Sequence, residues 1–119
     1  MAQFWKNSIR KVEARRESVV RFIGEQVGGP AQDVKNALGA ILKSHGGVTE
    51  AYLARVVFGT DPVFKVTLCM VAQEDPQLLR EVEACFHQLF GSDSSMDVLF
   101  LTDSQRAELR GVCPPFFVR

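Results

Sequence analysis

The residues best able to do chemistry in this sequence are three cysteines and two histidines, namely Cys69, Cys85, Cys113, His45 and His87. A cysteine nucleophile needs a nearby base, and Cys85 and His87 are close in the sequence. Two positions on a helix point about 200° apart, so this thiol and this imidazole do not meet locally. Cys69 and Cys85 lie in apolar stretches, which favours buried, inert thiols. Cys113 lies in an irregular segment beside two prolines, which leaves a solvent-accessible thiol open as an alternative, although a reactive thiol is disfavoured.

Other catalytic and metal-binding patterns are missing from the sequence. It contains no G-x-S-x-G elbow, no H-x-x-x-H pair and no C-x-x-C pair. An odd number of cysteines without such pairs suits neither a disulfide framework nor a zinc site. We therefore predict no catalytic residues, no metal site and no cofactor, and a protein that is not an enzyme.

The glycine-rich stretch "IGEQVGGP" leaves two readings open. It lies between a predicted strand and a predicted helix, where free main-chain amides hold small anions in some proteins. Its spacing matches neither a Walker loop nor G-x-G-x-x-G, and Glu25 would repel an anion, so plain turn geometry is favoured. The alternative is a ligand loop formed by Gly24, Gly28 and Gly29.

Composition and charge indicate one globular domain over residues 1–119. The chain is 46% hydrophobic and 24% charged, and its formal net charge is zero. Through residue 21, however, six basic residues stand against two acidic ones, so the N-terminal segment is a local basic patch. We interpret it as a solvated helix face and consider membrane-surface binding unlikely. With no signal-peptide core and no long apolar run, we expect a cytoplasmic protein.

Hydrophobic periodicity predicts a mixed succession of helices and strands. A helix over residues 1–17 carries Trp5, Ile9 and Val12 on one stripe. A strand in "SVVRFIG" leads to a helix over 31–45 that Gly46 ends in a left-handed conformation. The remaining elements are a β-hairpin over 48–72 around "GTDP", a helix over 76–90, a strand in "MDVLFL" and a short helix opened by the capping box "TDSQ".

This order of elements predicts an α+β, ferredoxin-like fold. The core reads βαββαβ, which places the first and third strands in the middle of a four-stranded antiparallel sheet with both long helices on one face. The strands are apolar on both sides, so the second face needs a cover. The candidates are the N-terminal helix, the "CPPFF" tail or a second subunit.

The tail "GVCPPFFVR" ends with two large apolar rings. Pro114 and Pro115 stiffen it and cannot donate hydrogen bonds to a sheet. We therefore expect at least one of the rings of Phe116 and Phe117 to pack against the sheet or into a neighbouring subunit without strand pairing, with Cys113 close by.

Three segments resemble a known bacterial family. The runs "VRFIGEQVGGPAQDVKNAL" and "GGVTEAYLARV" and the ending "PPFF" resemble the C-terminal domain of the enhanced serine sensitivity protein (SseB) family, over residues 18–117. The resemblance implies a bacterial accessory domain without established catalytic residues. The sequence lacks the separate N-terminal domain expected in that family, and Phe117 stands where a tyrosine is usual.

Two functions remain from these observations. We favour a non-enzymatic interaction module that binds a protein, with a homodimer as one possibility, through its sheet edge or its second sheet face. The alternative is a regulatory domain for a small ligand such as an amino acid. RNA-recognition modules share the ferredoxin-like order, but "VFKVTLCMV" lacks their glycine and spaced aromatics, so nucleic acid is not expected. The residues expected to bind a protein partner are Trp5, Ile9, Val12, Phe116 and Phe117.

Overall fold

A computed structural model describes residues 19–92 and 96–119, which form a mixed α+β structure. The predicted helix over 1–17, with Trp5, Ile9 and Val12, lies outside the described residues. The strands are β1 (Val20–Glu25), β2 (Glu50–Phe58), β3 (Lys65–Val71), β4 (Asp97–Phe100) and β5 (Phe117–Val118), and the helices are α1 (Gly29–Lys43), α2 (Pro76–Phe90) and α3 (Asp103–Arg110).

The helix boundaries follow local signals in the sequence. Asp75 caps α2 by accepting a hydrogen bond from the Gln77 amide at 2.9 Å, and Gly91 ends that helix with a φ of 94°. Helix α1 ends earlier than predicted, because Ser44 is its C-cap. Gly46 does not have a positive φ, so its predicted role in a left-handed cap is wrong.

The predicted ferredoxin-like sheet is wrong in strand order and in strand direction. The order is β1-β2-β3-β4, so the hairpin strands β2 and β3 are central and β1 is at an edge. Strands β3 and β4 run parallel, which makes the sheet mixed. The order of elements along the chain did not determine the order of strands in the sheet. Helix α1 leads directly to β2, which pairs with β1, and does not cross over to a more distant strand.

Strands β1 and β5 share one edge of β2. Strand β1 pairs with the second half of β2, from Ala54 to Phe58, while β5 pairs with Glu50 and Ala51 in the first half. The tail therefore does pair with the sheet, contrary to the prediction. Pro114 and Pro115, which have no amide hydrogen, precede the paired residues, so the strand begins only after them.

Both faces of the sheet are covered by apolar residues, as the poor alternation of the strands predicted. Helices α1 and α2 pack on the first face, and their side chains Leu38, Leu42, Leu78 and Val82 belong to one core with residues of β2, β3 and β4. The prediction that both long helices share one face is confirmed. On the second face, Leu109 of α3 is fully buried in a smaller core.

Helix α3 is a cover of the second face that the sequence analysis did not consider. Its capping box is formed as predicted, since the Gln105 amide donates to the Thr102 hydroxyl and the Thr102 amide donates to the Gln105 side chain. Cys113, just after α3, is buried in the same small core, only 2% exposed. The start of the tail thus lies on the second face and its aromatic end on the first.

Candidate interaction surface

The two edges of the sheet differ in accessibility. All four residues of β4 are buried, the most exposed being Asp97 at 3%, so this edge does not reach solvent. Strand β1 alternates between buried and exposed residues, and within the described residues nothing pairs with its outer edge. The accessible edge of the sheet is therefore the edge formed by β1.

Aliphatic side chains follow this edge at every fourth position. Val19 is 76% exposed, Ile23 44% and Val27 66%. Val112, the residue before Cys113, is also exposed, and its carbonyl oxygen lies 3.9 Å from the position that a Cβ on Gly24 would take. We call these four residues, Val19, Ile23, Val27 and Val112, the β1 edge surface.

A β-bulge at Ile23 shapes this edge. Phe22 is opposite Val56 and Gly24 is opposite Arg55, so Ile23 has no partner of its own on β2. A bulge bends a strand and interrupts its row of hydrogen-bonding groups, which limits uncontrolled strand addition. A partner at this edge would therefore contact mainly side chains and not a long row of unpaired main-chain groups.

The tail is attached to the helix side of the sheet. Phe116 and Phe117 are partly buried against the larger core, and the Phe116 amide donates to the Ala51 carbonyl at 2.9 Å. The expected packing of these rings against the sheet is confirmed. Their assignment as partner-binding residues stays a prediction, and their contacts within the chain give them a structural role.

Arg119 ties the tail to the end of α1. Its guanidinium donates to the carbonyl oxygens of Leu42 at 2.7 Å and of Val48 at 2.9 Å, and it also contacts those of Lys43 and His45. The last carbonyls of a helix have no partner within the helix and carry its partial negative charge. Arg119 satisfies them across the tail, so the tail and α1 are held together.

A carboxylate on the second face is held by three side chains. Glu50 accepts hydrogen bonds from the Tyr52 hydroxyl at 2.5 Å and from Arg106 Nε at 3.0 Å, and Arg106 Nη2 contacts its other oxygen. Arg110 Nη1 lies 3.9 Å away. The Glu50 side chain is only 8% exposed, so this two-point contact fixes α3 to the start of β2.

This network shifts the pKa of Glu50 and the pKa of Tyr52. The hydrogen bond from Arg106 is the main reason that the pKa of Glu50 falls to about 2. Burial, and then the neighbouring carboxylate, raises the pKa of Tyr52 to about 12. Both groups therefore hold fixed charge states at neutral pH, as suits a structural network rather than a proton-transfer site.

The three thiols are disfavoured as nucleophiles. Burial raises the pKa of Cys69 and of Cys85, and it raises the pKa of Cys113 to about 11. The alternative of a solvent-accessible Cys113 is wrong, because the residue is buried in the smaller core on the second face. His45 instead contacts carboxylates, with its Nε2 3.2 Å from Glu81 Oε1.

The glycine loop is a turn into α1. Gly24 belongs to β1, Gly28 has a φ of 119° at the helix N-cap, and Gly29 is the first residue of α1. No side chain caps this helix. Glu25 is paired with Lys35 at 2.6 Å, which reduces the repulsion that it was expected to exert on an anion.

Sequence reasoning missed the residues that are brought together from distant segments. Glu50 and Tyr52 alternate with apolar residues at the start of β2, which was a signal that a polar group faces one side of that strand. Nothing in the sequence pointed to Arg106 as the partner of Glu50, since 56 positions separate them. The β1 edge surface was missed because α1 was expected to place β1 in the centre of the sheet.

Comparisons with protein-family models, with curated proteins and with solved structures found no match. The resemblance to the SseB family therefore stays a prediction. In the described ranges, no helix has the length and apolar character needed to cross a bilayer. Within those same residues, no group of three or more His, Cys, Asp or Glu side chains is placed to hold a metal ion.

Proposed function

We propose that this chain is a non-enzymatic interaction module that binds a protein partner at the β1 edge surface. The observation that carries the proposal is the contrast between the two sheet edges, since β4 is buried, whereas Ile23 of β1 and its flanking residues Val19 and Val27 are exposed. Exposed aliphatic groups along an open strand are typical of surfaces that pair with another chain. The second face is the weaker candidate, because Leu109 and Cys113 fill part of it.

A second copy of the chain is the simplest partner. A two-fold axis at the edge brings the same patch of both copies together, so a single set of residues suffices for both sides. The aliphatic groups then cover one another, while the bulge at Ile23 stops pairing from extending into a fibre. The SseB resemblance implies a bacterial accessory role. In this arrangement a cytoplasmic homodimer performs that role.

The test compares two exposed aliphatic residues. Ile23→Lys places a charge in the β1 edge surface, whereas Leu89→Lys changes an equally exposed residue on α2, 41% against 44%. Analytical ultracentrifugation over a concentration series should show a dimer that Ile23→Lys dissociates and that Leu89→Lys leaves intact. A monomer at every concentration rejects the second copy as the partner, and a dimer unaffected by Ile23→Lys rejects the surface.

The alternative function, a regulatory domain for a small ligand, is tested separately. The loop of Gly24, Gly28 and Gly29 leads into an α1 N-terminus without a side-chain cap. A thermal-shift screen against amino acids without an aromatic ring, serine included, should leave the melting temperature unchanged if the interaction module is correct. Reproducible stabilisation by one of them would favour the ligand domain instead.

A further inference from the structure

Arg55 stands in the central strand β2 without a polar partner. Its Nε is buried and has no hydrogen-bond acceptor, and no carboxylate contacts its guanidinium within the described part of the chain. A buried donor that is left unsatisfied costs free energy, and a charged donor costs more. By contrast, the buried carboxylate of Glu50 on the same strand is paired with Arg106. Arg55 therefore differs from a structural arginine.

The surroundings of Arg55 leave room for a ligand. Arg55 is partly exposed, so part of the side chain is within reach of solvent although the Nε is not. It lies opposite Gly24 of β1, where a Cβ would come within 3.2 Å of Arg55 Nη2. The missing side chain at Gly24 thus lets the guanidinium extend over β1.

An aromatic ring borders the other side of this guanidinium. The Arg55 Cζ atom lies 5.6 Å from the centre of the Phe64 ring, within the range of a cation–π contact. Phe64 is 45% exposed, so a ligand can also reach the ring. The site accordingly combines a fixed cation with an accessible flat apolar surface.

The local charge favours an anion. Arg21 of β1 faces Val57, which is two residues from Arg55 and therefore on the same side of β2. The nearest acid in β1, Glu25, is paired with Lys35. Two guanidinium groups thus share one face of the sheet, and no carboxylate contacts either of them within the described residues.

We infer that Arg55, Gly24 and Phe64 form a binding site for a carboxylate carried on a flat apolar group. The planar guanidinium matches the two oxygens of a carboxylate, which would give its donors the acceptors that the chain does not supply. The apolar group would lie against Phe64. This site does not depend on self-association, and sedimentation does not measure it, so the two proposals fail independently.

The probes are benzoate, acetate and inorganic phosphate, titrated into ¹⁵N-labelled full-length protein. The readouts are the NMR resonances of the Arg55 Nε–H group and of the Gly24 and Phe64 amides. We expect saturable shifts with benzoate, with a Kd on the order of 1 mM, and weaker binding of acetate, which lacks the ring. Phosphate binding as tightly as benzoate would overturn the assignment to a carboxylate on an apolar group.

Three variants test the residues. Arg55→Gln should weaken benzoate binding at least about tenfold, since hydrogen bonds to a charged group are lost, and Arg80→Gln on α2 should leave it unchanged. Gly24→Ala keeps Arg55 but displaces its guanidinium, because of the 3.2 Å approach, and should weaken binding about threefold. Absence of saturable shifts in the unmodified protein, or equal binding by Arg55→Gln, would overturn the proposal.

Discussion

Neutralising Glu50 should destabilise the protein more than any exposed charge change. In Glu50→Gln the side chain keeps its shape but loses the ion pair with Arg106. Its amide nitrogen, a donor, takes the place of one of the two carboxylate oxygens that accept hydrogen bonds. Removing one member of a buried pair costs about 3–5 kcal/mol. Arg106 is 40% exposed and can be rehydrated, so we expect the lower end of that range.

The pKa of Glu50 gives an independent value. It falls from 4.5 to about 2 in the folded protein, and each pKa unit corresponds to about 1.4 kcal/mol. Ionised Glu50 therefore contributes on the order of 3 kcal/mol to the free energy of unfolding. Because its pKa is lowered, this contribution is complete above pH 4.5 and is lost as the pH falls through about 2.

Urea unfolding followed by circular dichroism measures this effect directly. At pH 7 the free energy of unfolding of Glu50→Gln should be about 3 kcal/mol below that of the unmodified protein, and the difference should shrink as the pH falls from about 5 to about 2. The control is Glu108→Gln, an exposed glutamate of α3, which should stay within about 0.5 kcal/mol. A difference below about 1 kcal/mol at pH 7, or one that is independent of pH, would refute this account of Glu50.

Three further results are expected. Tyr52 is the only tyrosine, so phenolate absorbance should report its titration alone, with a midpoint near its pKa of about 12. The protein should lose stability as the pH rises from 10.0 to about 12, and Glu50→Gln should lower the midpoint of the titration. In the native protein a thiol reagent should modify Cys85 before Cys113, and fast labelling of Cys113 would contradict its burial. Arg119→Ala should lower the free energy of unfolding, measured in urea, by about 1–2 kcal/mol, because the carbonyls at the end of α1 lose their donors. An unchanged midpoint of urea unfolding would show that the contacts of Arg119 do not stabilise the protein.

Much of the local structure was predictable because its causes are close in the sequence. The caps at Asp75 and Thr102 depend on side chains that bond amides two or three positions away. The hairpin depends on the turn residues after Phe58, where Gly59 has a φ of 57°. The apolar stripes of α1 and α2 required only helical periodicity.

The candidate site was less predictable because it depends on strand neighbours. Exposure of Val19, Ile23 and Val27 follows from the edge position of β1, which the order of elements did not reveal. The same holds for Arg55, whose isolation results from its placement opposite Gly24 and beside Phe64. In the sequence it is one arginine within an apolar strand.

Within the described residues, the sequence by itself determined which segments become the three helices and the strands β1 to β4, where most of them begin and end, and that both faces of the sheet must be covered. Hydrophobic periodicity and capping act over a few residues, so they can be recognised without a structure. Only the tertiary structure decided that β1 is an edge, that α3 covers the second face and that the tail completes the sheet. These outcomes depend on contacts between distant residues, such as that of Arg119 with Leu42, 77 positions apart. Many alternative strand pairings are compatible with the same local pattern, and the packing of the whole chain selects one of them.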